Sequence, residues 1–121
     1  MAETLAVESE QILVIASDTV ILDQIETALA RDCYSTTQAL TGLAGLELLQ
    51  SRPFSLLIID DALPDRSGSD MCRAIKRRDP LVPVICLLSA AVAYPLALER
   101  GHEADAYLVK PFDQADLLAR V

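Results

Sequence analysis

The stretch LLIIDDALPDRSG, residues 56–68, decides how the rest of the chain is interpreted. Its first four residues are bulky and apolar, which is typical of a strand buried on both faces of a parallel sheet covered by helices. The run stops at two carboxylates, Asp60 and Asp61, and a turn rich in Pro, Asp, Ser and Gly follows. In an open α/β sheet, binding and chemistry occur at the carboxyl ends of the strands. Asp60 is therefore predicted to lie at a functional edge.

An acidic pair after a strand is more often a solvated end that caps the next helix. Asp65, Ser67 and Asp70 are better candidates for that structural role, because a short side chain with an oxygen accepts the free backbone N–H groups of a helix start. Asp60 is left without an obvious structural role, and this favours a functional one.

Composition restricts the class of protein. A chain of 121 residues is one domain with a real core. Its formal net charge of -8 argues against direct binding to nucleic acid or anionic lipid, because both need a basic face. Cys33, Cys72 and Cys86 have no paired spacing and are interpreted as small core residues in a reducing compartment. Residues 1–10 do not resemble a secretion signal and are interpreted as a flexible tail, so a cytoplasmic location is predicted.

The uncharged segment 81–98 has the length of a membrane-spanning helix. Pro83 and Pro95 interrupt it, and Ser89 with two alanines breaks it in the middle. A buried strand followed by a helix is the simpler interpretation, and no membrane span is predicted.

Strands and helices alternate along the whole sequence. The predicted strands are 12–15, 34–37, 56–59, 83–88 and 106–109. The predicted helices begin at residues 17–19, cover 43–50, 69–78 and 95–100, and resume after Asp113, with Gly101 closing the fourth. This alternation predicts right-handed β-α-β crossovers and a doubly wound parallel sheet.

Two of these helices have a predicted buried face. In the second, Leu43, Leu46 and Leu49 are predicted to point inward. In the third, the inward residues are predicted to be Met71, Cys72 and Ile75, and the basic residues Arg73, Lys76, Arg77 and Arg78 are predicted to be solvated.

Three features point to a known family when they are taken together and in order. They are Asp60-x-x-x-Pro64 followed by Gly68, the sequence Lys110-Pro111-Phe112 after the fifth strand, and Tyr107 three residues before that lysine. They resemble the receiver domains of two-component response regulators, and this implies a flavodoxin-like (βα)5 fold with strand order 2-1-3-4-5. The resemblance covers nearly all of residues 11–121. The last helix is short for an element that covers a sheet face, so we expect the domain to come from a longer chain.

The resemblance implies a role for each matching residue. Asp60 would accept a phosphoryl group from a histidine kinase, and it would hold Mg²⁺ together with the backbone of Ala62. Lys110 would supply a second positive charge. The family has a Thr or Ser at the end of the fourth strand, and here Leu88 or Ser89 takes that position.

The output face implied by the resemblance consists of the fourth helix, the fifth strand and the fifth helix. Tyr107 and Tyr94 would lie on it. His102 is the only histidine, and it is interpreted as an exposed loop residue rather than a ligand.

The first strand departs from the family pattern. Receivers end it with an acidic pair, whereas this sequence has Ala16 and Ser17, and only Asp18, one step later, is acidic. Mg²⁺ gives up its water reluctantly and needs formal negative charge, so weak binding is predicted. The first interpretation is therefore an atypical receiver, or pseudo-receiver, which is not an enzyme and acts mainly through a protein partner.

Two alternatives stay open. The first is a working receiver that recruits Asp18 for Mg²⁺ and is phosphorylated at Asp60. The second is a flavodoxin-like binder of a flavin or nucleotide, although residues 17–20 contain no glycine for a phosphate-binding loop.

Overall fold

The computed structural model describes residues 11–88, 104–110 and 112–121, which form five strands and four helices. The strands are β1 Gln11–Ile15, β2 Ser35–Ala39, β3 Leu56–Asp60, β4 Val84–Leu88 and β5 Ala106–Val109. The helices are α1 Thr19–Arg31, α2 Gly42–Ser51, α3 Gly68–Arg78 and α4 Gln114–Arg120. Each strand overlaps a strand predicted from the sequence.

The five strands form one parallel sheet in the order β2-β1-β3-β4-β5, which confirms the predicted fold and strand order. Ile15 of β1 pairs with Ile59 of β3, and Asp60 pairs with Leu87 of β4. Because all strands run in the same direction, their carboxyl ends meet at one edge of the sheet. We call this edge the carboxyl edge and the opposite one the amino edge.

The core consists of two apolar layers, one on each face of the sheet, because side chains alternate along each strand. The layer under α1 and α4 includes Ile12, Val14, Ile25, Leu29, Ile58 and Leu117. The layer under α2 and α3 includes Leu13, Ile15, Leu57, Ile59 and the three predicted residues Met71, Cys72 and Ile75. Burial of β3 on both faces confirms the interpretation of its four apolar residues.

Helix α2 corrects one prediction. Leu43 was predicted to point inward, but 56% of it is exposed, and Gly42 and Gly45 are the buried residues of this helix. A Cβ atom on Gly45 would stand 2.4 Å from Cδ1 of Ile15, so any larger residue would require the buried Ile15 side chain to move. The glycine contact orients the helix, and Leu43 faces solvent as a result.

The cysteines are only partly as predicted. Cys72 and Cys86 are buried, but Cys33 is exposed. Cys33 lies just after the end of α1 and has a φ of 65°. A residue in this left-handed conformation often ends a helix and is usually glycine or asparagine. The hydrogen bond between the Cys86 and Cys72 thiols, together with burial, raises the pKa of Cys86.

Lys76 was predicted to be solvated with its basic neighbours, and this is wrong. Its ammonium group donates to the carbonyl oxygen of Val82 at 2.7 Å and to Oδ2 of Asp105 at 2.6 Å. Arg73, Arg77 and Arg78 are exposed, as predicted.

Several predictions fall outside the described residues. They concern the fourth predicted helix at 95–100, Gly101, Ser89, Tyr94 and His102. Within the described ranges, no helix combines the length and the apolar character needed to cross a bilayer.

Candidate acceptor site

Asp60 ends β3 at the carboxyl edge of the sheet. Only 2% of it is exposed, and among the described residues it is the only buried one with a charged or polar side chain. Its Oδ1 atom accepts a hydrogen bond of 3.1 Å from the backbone N–H of Ala62. A buried carboxylate is unfavourable unless other groups compensate its charge, and one backbone donor does this only in part.

Lys110 supplies the compensating charge from the end of β5. Its Nζ atom lies 2.9 Å from Oδ1 and 3.1 Å from Oδ2 of Asp60. The backbone N–H of Lys110 donates to the carbonyl oxygen of Leu88 at 2.7 Å, which extends the β4–β5 pairing and fixes the start of the side chain. The lysine side chain is 23% exposed, so its ammonium group is near solvent. The sequence prediction that these two residues lie together agrees with this geometry.

The loop after Asp60 is held tightly against the strand. Gly68 donates its backbone N–H to the carbonyl oxygen of Asp61 at 3.1 Å, and Ala62 forms an isolated bridge with Ser67. A Cβ atom on Gly68 would stand 2.7 Å from the Cα atom of Asp61, which is backbone and does not yield. This position therefore requires glycine. Ser67 caps α3, as the sequence indicated.

Asp65 has a structural role that the sequence analysis assigned to the wrong helix. Its two oxygens accept hydrogen bonds from the backbone N–H groups of Gly42 at 2.8 Å and Leu43 at 2.9 Å. These bonds to the first turn of α2 hold the pKa of Asp65 below its ordinary value. The signal in the sequence is weak: α2 has no acidic residue of its own in its first turn. Asp65 thus ties the acceptor loop to α2.

The end of β1 lies beside Asp60. Ile15 pairs with Ile59 in the β1–β3 register, and the next residues along the two strands are Ala16 and Asp60. Ala16 is completely buried in the layer under α1 and α4, and Ser17 is exposed. Asp18 is exposed and caps α1, where its Oδ1 atom accepts from Val20 N–H at 2.9 Å. The described part of the edge contains no group of three or more acidic, histidine or cysteine side chains that could hold a metal.

The sequence matches the family model of the response regulator receiver domain over residues 12–121. The chain belongs to this family. It is 35% identical over 114 residues to the transcriptional regulatory protein CseB of Streptomyces avermitilis, and the match covers 94% of this chain and 48% of CseB. It is 33% identical over 110 residues to the response regulator ArlR of Staphylococcus epidermidis, with 91% and 50% covered. The receiver therefore spans about half the length of these curated relatives.

Solved receiver structures have the same fold. A response regulator receiver domain from Clostridium thermocellum has a TM-score of 0.83 and 29% identity, with 92% of this chain and 90% of that chain covered. The beryllium fluoride-activated DrrB receiver domain has a TM-score of 0.75 and 34% identity, with 93% of both chains covered. These similarities agree with the doubly wound sheet described above.

Tyr107 of the receiver is half-buried on β5, where it packs against the layer under α2 and α3. Its hydroxyl oxygen accepts a hydrogen bond of 3.2 Å from the backbone N–H of Ala104. Ala104 is itself buried, so this bond fixes the ring against the loop that leads into β5. Leu88, at the end of β4, is buried and apolar and cannot donate a hydrogen bond to a phosphoryl group.

Proposed function

We propose that this receiver domain signals mainly through a protein partner and that its acceptor site has a low affinity for Mg²⁺. The observation that supports this is the end of β1, where a buried alanine and an exposed serine precede a carboxylate that caps its own helix. Receiver domains typically bind Mg²⁺ for phosphorylation. Here Asp60 is the one buried carboxylate of the described site, and it already has Lys110 as its counter-charge.

The described donors do not fit a tight Mg²⁺ site. Mg²⁺ demands near-octahedral oxygen ligands and is usually bound by one or two carboxylates in addition to phosphate. Asp18 would have to leave the Val20 N–H to contribute, and the loss of a helix cap costs about 1 kcal/mol. A cation would also be repelled by the ammonium group of Lys110, which contacts both oxygens of Asp60.

The partner surface is proposed to be the face that includes β5, α4 and the segment 95–100, with Tyr107 and Tyr94 as contact residues. The hydrogen bond from the backbone N–H of Ala104 to the Tyr107 hydroxyl oxygen supports a position of this ring that does not require a change at Asp60. The absence of an enzymatic reaction, the cytoplasmic location and the origin from a longer chain stay predictions. CseB is a transcriptional regulatory protein, and we propose a comparable longer regulator as the context of this domain.

A Mg²⁺ titration followed by NMR tests the proposal. We expect small chemical-shift changes at Asp60 and Ala62 in the unaltered protein. The double variant Ala16→Asp and Ser17→Asp is expected to bind Mg²⁺ at least about tenfold more tightly. It adds two formal negative charges, and each is expected to contribute roughly as much binding free energy as a hydrogen bond to a charged group. The matched control Ala16→Asn and Ser17→Asn adds similar volume without charge and is expected to leave the affinity low. Tight binding by the unaltered protein would contradict the proposal.

The alternative is a phospho-accepting receiver that a histidine kinase modifies at Asp60. The contact between Lys110 and Asp60 favours it, since a cation beside the acceptor stabilises charge that develops on a phosphoryl group. Beryllium fluoride with Mg²⁺ distinguishes the two functions. An adduct on Asp60 that Asp18→Asn prevents would support the alternative, whereas no adduct in the unaltered protein would support the low-affinity site.

The flavin-binding alternative has less support than either. The exposed loop before α1 contains Asp18, whose carboxylate takes the backbone N–H of Val20 that a phosphate would need. A purified protein that is colourless would argue against a bound flavin.

A further inference from the structure

A groove between α2 and α3 lies outside the acceptor site and has no role in the function proposed above. Phe54, Ile75 and Val82 are buried at its base, and Leu46 and Leu49 are half-buried along its side. Its volume is about 190 Å³. This corresponds to about six water molecules at liquid density, which is room for a short aliphatic chain but not for a nucleotide.

Two arginines line the rim of this groove. The guanidinium group of Arg52 lies 5.1 Å from the centre of the Phe54 ring and donates to Oγ1 of Thr37 at 2.6 Å, so its position is fixed. Arg78 is in the last turn of α3, is exposed, and makes no hydrogen bond or ion pair with any other described residue. One cation is therefore held beside the groove, and a second is available to a ligand.

The negative groups at the rim leave the lining net positive, because Asp79 offsets only one of the two cations. Asp79 is the one acidic residue that lines the groove, and its Oδ1 atom accepts from the backbone N–H of Leu81 at 3.2 Å. The groove also lies at the C-terminal ends of two helices, where carbonyl groups carry partial negative charge. In both helices a capping N–H already binds one such carbonyl, that of Leu48 at 3.2 Å and that of Ile75 at 2.8 Å.

We propose that this groove binds a small amphiphilic carboxylate of about six carbon atoms, with its apolar tail on Ile75 and Val82 and its acid group on Arg78. Charge complementarity selects this ligand: in a chain with a net charge of -8, two guanidinium groups and one carboxylate line an apolar groove and leave it net positive. A guanidinium group binds a carboxylate through two parallel hydrogen bonds. An alkylammonium ion of the same length would be repelled by both arginines.

Hexanoate is the probe for this site, titrated into the full chain and followed by ¹H–¹⁵N NMR. We expect saturable shift changes at Leu46, Leu49, Ile75 and Val82, with a dissociation constant on the order of 1 mM for a ligand of this size. Hexylamine and hexanol are expected to bind at least about tenfold more weakly, because one reverses the charge of the acid and the other removes it.

Matched variants separate the groove from general electrostatic attraction. Arg78→Gln is expected to weaken hexanoate binding about tenfold. Arg77→Gln removes the neighbouring charge, which does not line the groove, and is expected to have little effect. Leu49→Phe keeps both arginines but takes up part of the groove, and it is expected to weaken binding while the circular dichroism spectrum stays unchanged.

Three results would overturn the proposal. They are equal affinities for hexanoate and hexanol, equal losses in Arg77→Gln and Arg78→Gln, and shift changes confined to residues outside the groove. None of these measurements involves Mg²⁺ or Asp60, so their outcome is independent of the proposed receiver function.

Discussion

Two lysine–aspartate pairs tie β5 to the rest of the fold, one at each edge of the sheet, and they differ in how many other partners they have. At the amino edge, Lys76 binds Asp105 at 2.6 Å and also donates to the carbonyl oxygens of Val82 and, at 3.4 Å, Pro80. At the carboxyl edge, the ammonium group of Lys110 donates hydrogen bonds to no described residue other than Asp60.

This difference is one between a fully partnered pair and a pair with spare donor capacity. The three donors of Lys76 are all used, and Asp105 also accepts from the backbone N–H of Val84 at 2.8 Å. Lys110 keeps donor capacity for an incoming group, and its partner Asp60 is far more buried, with 3% of its side chain exposed compared with 51% for Asp105. The amino-edge pair has the features of a clamp, and the carboxyl-edge pair has those of a site.

The largest effect is expected for Lys110→Met. It leaves the buried carboxylate of Asp60 without a cation, and removing one partner of a buried ion pair costs roughly 3 kcal/mol in the free energy of unfolding. Urea denaturation at pH 7 measures the loss. The double variant Lys110→Met and Asp60→Asn is expected to recover most of it, because the uncompensated charge is then gone. A loss that persists in the double variant would mean that Lys110 stabilises the fold through packing instead.

A smaller loss is expected for Lys76→Met at the other edge. Asp105 can turn toward water when its partner is removed, but the carbonyl oxygen of Val82 loses its donor, so the expected cost is about 1–2 kcal/mol. Arg77→Met is the control, since its side chain is exposed one residue further along the same helix turn. If Lys76→Met cost more than Lys110→Met, the burial of Asp60 would not be what decides the size of the two losses.

The sequence predicted the two edges unequally well, for physical reasons. Asp60 and Lys110 both follow apolar runs, and the topology of a parallel sheet brings strand ends together. Lys76 looked solvated because helical periodicity places it among basic neighbours, and nothing local indicates that the carbonyl of Val82 turns back toward it. Asp65 was assigned to the wrong helix for the same reason, since its partners Gly42 and Leu43 are distant in sequence.

Periodicity failed in α2 because it treats glycine as neutral. Gly45 lies against Ile15, and this contact, rather than the leucine spacing, sets the rotation of the helix. Leu43 is exposed as a result. The spacing of large apolar residues predicts the buried face of a helix only when no close backbone contact sets the rotation of the helix instead.

A pH dependence sharpens the comparison at the amino edge. Burial acts to raise the pKa of Asp105, but the hydrogen bonds from Lys76 and Val84 N–H outweigh it, so the pKa lies below its ordinary value of 3.8. The carboxylate therefore contributes stability above that value, and the contribution disappears as the pH falls through the lower folded-state pKa. The difference in stability between the unaltered protein and Asp105→Asn is expected to shrink below about pH 4. A difference that stays constant between pH 6 and pH 3 would contradict the charge-based account.

The smallest effect is expected at Tyr107, which lies on β5 between the two pairs. Its hydroxyl oxygen accepts a hydrogen bond from the backbone N–H of Ala104 on the amino side. Neutralising the acceptor with Asp60→Asn should therefore leave the ring resonances of Tyr107 nearly unchanged in ¹H–¹³C spectra. Lys76→Met is the informative control, because it disturbs Asp105 next to Ala104 and should shift those resonances. A large shift from Asp60→Asn alone, in a stably folded protein, would show that Tyr107 responds to the acceptor site and that the output surface is switched rather than fixed.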